Sequence, residues 1–172
     1  ASDVYTIGVT LADDDTGTVS SSTTTTITNV APVILTLGAT SVNEDGTVTL
    51  SGTYSDVGSQ DTHTLTINWG EGAPVTSAVS GGSFSFTHQY LDDKPSASAS
   101  DVYTIGVVLT DDDTGTDVGS ALTTITNVNP VITGLSNTSP ECGDAAEGQS
   151  ISLSGSFTDI GTQDTHTALI DW

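Results

Sequence analysis

The stretch Ser100 to Ile132, SDVYTIGVVLTDDDTGTDVGSALTTITNVNPVI, decides the architecture, because the chain carries it twice. Ser2 to Ile34, SDVYTIGVTLADDDTGTVSSSTTTTITNVAPVI, aligns with it without gaps at a spacing of 98 residues, with 25 of 33 positions identical. Leu50 to Trp69 matches Leu153 to Trp172 at a spacing of 103, which places an insertion between Ile132 and Leu153, within SNTSPECGDAAEG. Self-similarity at a fixed period marks an array of repeated units, each needing its neighbours or its own small core. The expected organisation is the end of one repeat over 1–31, a complete repeat over 32–129 and the start of a third over 130–172. Ala1 matches Ala99 and Trp172 matches Trp69, so neither end is expected to be a domain boundary. The expectation is a window on a longer array, or terminal half-domains completed by a neighbouring chain.

Within the quoted stretch, Tyr103, Ile105, Val107 and Leu109 alternate with polar or small residues, as do Tyr5, Ile7, Val9 and Leu11 in the first copy. A period of two is the signature of a half-buried strand. Val48, Leu50, Gly52 and Tyr54 share one phase, and so do His63, Leu65, Ile67 and Trp69, and Phe84, Phe86, His88 and Tyr90. Strands are predicted over 33–37, 47–54, 63–69, 75–79, 83–90, 102–110 and 121–128, separated by Gly, Asp, Asn and Ser clusters. An all-β chain with roughly seven short strands per repeat is expected to form immunoglobulin-like β-sandwiches.

Charge narrows the partners. Against 22 Asp and Glu stands one basic residue, Lys94, for a net charge of −21. Nucleic acid needs Lys and Arg to neutralise phosphates, and an anionic membrane surface repels such a chain. Bound cations are the natural counterweight. Cys142 is alone and makes no bridge within the chain, leaving a solvated thiol or a disulfide to another segment. No apolar run is long enough to span a bilayer and no leader-like segment is read at Ala1, so any export signal is expected elsewhere.

Two patterns in the repeat resemble the PKD family, immunoglobulin-like modules named from polycystic kidney disease protein. Ile67-Asn68-Trp69-Gly70-Glu71-Gly72 is similar to that family's W-x-F-G-D-G turn, with Ile67, Trp69 and Glu71 where the family has Trp, Phe and Asp. Val102 to Asp111 is similar to its Y-x-V-x-L-x-V-x-D strand, and Asn29-Val30-Ala31-Pro32 and Asn127-Val128-Asn129-Pro130 resemble linkers between its members in bacterial surface arrays. The resemblance implies an extracellular module for spacing, adhesion or contact with protein and carbohydrate, with calcium bound in some members.

In a sandwich of this strand order, the loops after 47–54 and 102–110 and the segment before 33 converge at one pole. Asp56, Asp61, Asp111, Asp112 and Asp113 lie on those loops, with Asn29 nearby. Calcium takes about six to eight hard oxygen ligands from flexible loops, so a subset of these residues is expected to hold it where repeats meet. Equivalent positions are Asp13, Asp14 and Asp15 in the first copy and Asp159 and Asp164 in the third. The competing reading is a solvated DDDTG turn whose aspartates cap backbone amides. Glu44, Asp45, Glu71, Asp92 and Asp93 form a second acidic set at the opposite pole, able to complete such a site from below or to serve tight turns.

His63, His88 and His166 read as structural histidines, and no nucleophile elbow, phosphate loop or paired-carboxylate pocket points to an enzyme. Asn137-Thr138-Ser139 is a glycosylation sequon, and Ser20 to Thr26 is either an O-glycan tract or a Thr-rich edge strand. The function expected is non-catalytic: a module of an extracellular rod or fibre, of surface, adhesion or biofilm type, whose partners are neighbouring repeats or copies of itself. The alternative is a carbohydrate- or protein-binding spacer of a large secreted enzyme or adhesin.

Overall fold

A computed structural model describes residues 2–94, 98–139 and 145–172, so Cys142 lies outside the described residues. These residues form strands and no helix: β1 (Ser2–Ala12), β2 (Thr18–Thr28), β3 (Val33–Ala39), β4 (Val42–Asn43), β5 (Thr47–Ser55), β6 (His63–Asn68), β7 (Val75–Val79), β8 (Ser83–Gln89), β9 (Ser100–Asp111), β10 (Thr116–Thr126), β11 (Val131–Asn137) and β12 (Leu153–Thr158). Strands β3 to β10 make the two sheets of an immunoglobulin-like sandwich, ordered β3-β5-β8 and β4-β10-β9-β6-β7. Hairpins β1-β2 and β11-β12 are separate two-stranded sheets. The chain divides into two compact units, Ala1–Ala39 with Leu50–Phe86 and Thr104–Leu122, and Thr40–Thr49 with Thr87–Tyr103 and Thr123–Trp172.

In the first unit the alternation seen in sequence becomes burial. Leu50 and Tyr54 of β5, Leu65 and Ile67 of β6, and Ile105, Val107 and Leu109 of β9 are buried, as are Trp69 and Phe84. The two sheets meet where the Tyr54 and His63 rings pack at 5.1 Å, tilted by 55°. Gly52 of β5 is required beneath the Phe84 ring of β8, since a Cβ there would lie 2.5 Å from both that ring and the Thr36 carbonyl of β3. β3 pairs antiparallel with β5 through an irregularity between Ile34 and Thr36. β10 begins at Thr116, earlier than the alternation suggested, because Asp117 accepts a hydrogen bond from the Ile34 amide at 2.8 Å. Its Gly119 lies against Leu37, Val107 and Ile34.

Hairpin β1-β2 keeps the sequence of β9-β10 but not its burial. Ile7 is 51% exposed where Ile105 is 0%, and Leu11 is 68% exposed where Leu109 is 0%.

In the second unit the first strand of the sandwich changes partners. The sequence predicts one strand over 33–37, whereas two-residue β4 pairs in parallel with β10, Val42 opposite Ile125. The crossing is held by Thr123 Oγ1 donating to the Thr40 carbonyl at 2.7 Å and the Thr124 amide donating to Ser41 Oγ at 3.1 Å. Val48, Tyr90, Tyr103 and Ile125 are buried here, with the Tyr90 and Tyr103 rings 4.7 Å apart. β11 and β12 pair antiparallel with Leu135, Ile132 and Phe157 exposed.

Candidate metal centre

Three groups of carboxylates among the described residues bring one oxygen from each member within 4.8 Å of the others: Asp56, Asp61 and Asp111 in the first unit, and Glu44 with Asp92 and Asp93, and Glu44 with Asp159 and Asp164, in the second. They differ in how their oxygens are used.

In the first unit the strands end in loops that cap themselves. Asp56 accepts from the Gly58 amide at 3.1 Å and from His63 Nε2 at 2.8 Å. Asp111 accepts from the Gly115 amide at 2.6 Å and from Asn29 Nδ2 at 2.8 Å. Every carboxylate oxygen of Asp56 and Asp111 therefore has a donor. Burial pushes the Asp56 carboxyl up, but the hydrogen bonds from His63 and Gly58 outweigh it and leave the pKa below the ordinary value. Asp61 goes the other way, raised by burial and by the charges of Asp56, Asp112, Asp111 and Asp113.

The DDDTG segment is a built turn in both copies. Thr16 and Thr114 take the left-handed conformation, with φ of 72° and 74°. Asp13 accepts from the Asp15 amide at 3.1 Å and the Gly17 amide at 2.6 Å, as Asp111 accepts from Gly115. Asp13, Asp14 and Asp15 belong to none of the three groups. Asp112 accepts from the Thr62 amide at 3.0 Å, and it and Asp113 also stand outside the groups. Asn29 enters as a donor to Asp111.

The second unit is different. Glu44 follows β4, Asp92 and Asp93 follow β8, and Asp159 and Asp164 follow β12. Glu44 is 1% exposed and Asp93 4%. Glu44 Oε1 accepts from the Val128 amide at 2.5 Å. Asp159 Oδ2 accepts from His166 Nε2 at 2.6 Å. Among the described residues, the buried side-chain atoms left without a hydrogen-bond partner are Glu44 Oε2, Asp93 Oδ2 and Asp159 Oδ1. All three belong to this one assembly. Leaving a buried acceptor unmatched is costly, and a carboxylate more so, unless a cation takes the lone pairs.

The electrostatics follow. Burial raises the Glu44 carboxyl above its ordinary value, the Val128 hydrogen bond opposes this, and the charges of Asp164, Asp93 and Asp159 add to the rise. Asp93 is raised by burial and by the charges of Asp92 and Asp101. Asp159 is held low by His166, against burial, with help from the amides of Gly161 and Ile160. Lys94 Nζ lies 3.6 Å from Asp92 and donates to Gln163. Gly161 leaves room for the carboxylates, because a Cβ there would collide with Glu44 Oε2 and Asp164 Oδ2. An all-oxygen set on loops is chemistry for a hard divalent ion.

The remaining sequence candidates fall as follows. Asp45, at φ 59°, and the Gly70-Glu71-Gly72 segment, with both glycines at positive φ, serve turns, and Asp45 also accepts from Gln89. His88 packs edge-on against Tyr90 at 4.8 Å. Asn137 ends β11, exposed, with its side chain accepting from the Ser139 amide at 2.9 Å. Ser20 to Thr26 lies in exposed strand β2. Sequence reading gave Glu44, Asp92 and Asp93 a subordinate role, although Glu44 shares the even-numbered inward phase of Val48 and Leu50.

No protein-family model matches the chain, and no curated protein matches it. A solved structure similar to it is the PKD domain of an M14-like peptidase from Thermoplasmatales archaeon SCGC AB-540-F20, 21% identical over 56% of this chain and 91% of that domain, with a TM-score of 0.37. The sandwich assignment stands on strand order and register. No helix among the described residues is long and apolar enough to cross a membrane.

Proposed function

We propose that the chain is a non-catalytic structural segment of an extracellular tandem array, a rod or fibre whose consecutive sandwiches are tied by calcium. The observation that carries this reading is the set of buried, unpartnered oxygens on Glu44, Asp93 and Asp159. Their carboxylates come from the complete repeat and from the start of the next, so an ion there joins the two. Asn127-Val128-Asn129-Pro130 supports a short hinge, since Pro130 restricts the backbone and the Val128 amide is already committed to Glu44. The open apolar face of β1-β2 supports an array in which further strands, of the same polypeptide or of another copy, cover Tyr5, Ile7, Val9 and Leu11.

Titration of the full chain with Ca²⁺ in a calorimeter tests the reading. Saturable binding that is weakened about tenfold or more in Glu44→Gln is expected, and no binding to the folded chain overturns it. Electron microscopy of the native material with and without chelator tests the larger claim. A straight fibre that softens without calcium is expected; isolated globular particles under both conditions overturn it.

A further inference from the structure

We infer that the second unit holds two divalent cations side by side, with the Glu44 carboxylate shared between them. This rests on the reading of that assembly as a cation site and adds its stoichiometry and its bridging ligand.

The acidic residues separate into two triads, not one group of five. Glu44, Asp92 and Asp93 converge within 4.8 Å, and so do Glu44, Asp159 and Asp164. Glu44 alone belongs to both. Each triad also carries its own buried oxygen without a partner, Asp93 Oδ2 in one and Asp159 Oδ1 in the other, while Glu44 Oε2 is unpartnered and common to both. Those side chains are sealed: Glu44 is 1% exposed, Asp93 4%, and the Asp159 side chain 5%. A single ion satisfies the orphaned oxygen of one triad and leaves the other buried and bare.

Charge gives the same count. One divalent ion among these five carboxylates, three of them buried and Asp159 and Asp164 half-buried, leaves three negative charges unmatched. Two leave one, and Lys94, 3.6 Å from Asp92, offsets it. The chain's single basic residue thus stands where a pair of divalent ions leaves one charge over. Carboxylates that bridge paired metal ions hold them roughly 3.5–4 Å apart, a span one Glu side chain covers.

The experiment counts ions on the full chain. Native mass spectrometry at saturating Ca²⁺ is run on the parent, on Asp93→Asn, on Asp164→Asn and on the double variant, with Tb³⁺ luminescence giving affinities. Each single variant should lose one ion and the double variant two. Glu44→Gln should weaken both bound ions by about tenfold or more, the signature of a shared ligand. Asn and Gln keep the size of the native side chains, and a circular dichroism melt in chelator confirms that each variant folds. If the double variant loses only one ion, the pair is overturned while a single bridging cation stands. If no variant loses any, the cation site itself falls.

Discussion

His166 Nε2 sits 2.6 Å from Asp159 Oδ2, repeating at the next copy the contact of His63 Nε2 with Asp56 Oδ2 at 2.8 Å. In both, the histidine ring also packs on an aromatic residue of the preceding strand, Phe157 in one and Tyr54 in the other, at 4.7 and 5.1 Å. The DxxxxDxH loop is therefore a unit: the imidazole holds the first aspartate, while the second, Asp61 or Asp164, turns back over the loop glycine, Gly58 or Gly161.

His63→Ala removes that restraint from Asp56, whose side chain is 4% exposed. The expected loss is about 1–3 kcal/mol of unfolding free energy, measured by urea denaturation at neutral pH. The sign with pH follows from the depressed carboxyl. Because Asp56 has a lower pKa folded than unfolded, its stabilisation is present above the ordinary value of 3.8 and is lost as pH falls through the lower native value. The gap in stability between parent and His63→Ala should close as the medium is acidified.

Glu44→Gln should have opposite effects with and without calcium. In chelator the substitution removes a buried charge yet keeps an oxygen for the Val128 amide, so stability is expected to rise by on the order of 1 kcal/mol. With calcium the parent should gain stability and the variant should gain distinctly less. Paired thermal melts check this.

Acidification should act on the second unit in the reverse sense to Asp56. Glu44 and Asp93 have native pKa values above their ordinary 4.5 and 3.8, so the folded chain holds protons that the unfolded chain releases. Their contribution to metal-free stability is full below those ordinary values and is lost as pH rises through the raised native ones. On the proposed reading calcium competes with these protons, so the stabilisation it provides should grow as pH rises through the raised native values, and proton release on binding should appear in buffers of different ionisation enthalpy.

Gly161→Ala should weaken the proposed site without harming the sandwich. Its added methyl meets Glu44 Oε2 and Asp164 Oδ2, and no unusual backbone conformation is involved. Calcium affinity is expected to fall about tenfold or more while the metal-free melt barely moves. Gly52→Ala is the contrast, because a Cβ there strikes Phe84 and the Thr36 carbonyl in the core; about 1–3 kcal/mol of destabilisation is expected with or without calcium.

The strands were legible because alternation in Val48-Leu50-Gly52-Tyr54 and Tyr103-Ile105-Val107-Leu109 maps onto burial. The break between β3 and β4 was not, since it depends on Thr40 and Ser41 finding partners in β10 rather than on any apolar pattern. Of the acidic residues, Asp56, Asp61 and Asp111 bring one oxygen each within 4.8 Å of the others. What sequence does not carry is which oxygens are already used. Asp111 and Asp13 spend theirs on turn amides, while Glu44, which looks like an ordinary turn residue before Asp45-Gly46, is drawn inward by the Val128 amide.

The place of Lys94 has a practical consequence. It is the chain's single side-chain amine, and it stands 57% exposed beside Asp92. Amine-directed reagents thus have one side-chain address on this protein, beside the acidic assembly, and a fluorophore attached there would report on the cation binding proposed above. The residue that follows is Pro95 and the chain contains no arginine. Trypsin-like proteases, which cut after Lys and Arg but poorly before proline, therefore meet a long β-structured polypeptide that offers them almost no bond to hydrolyse.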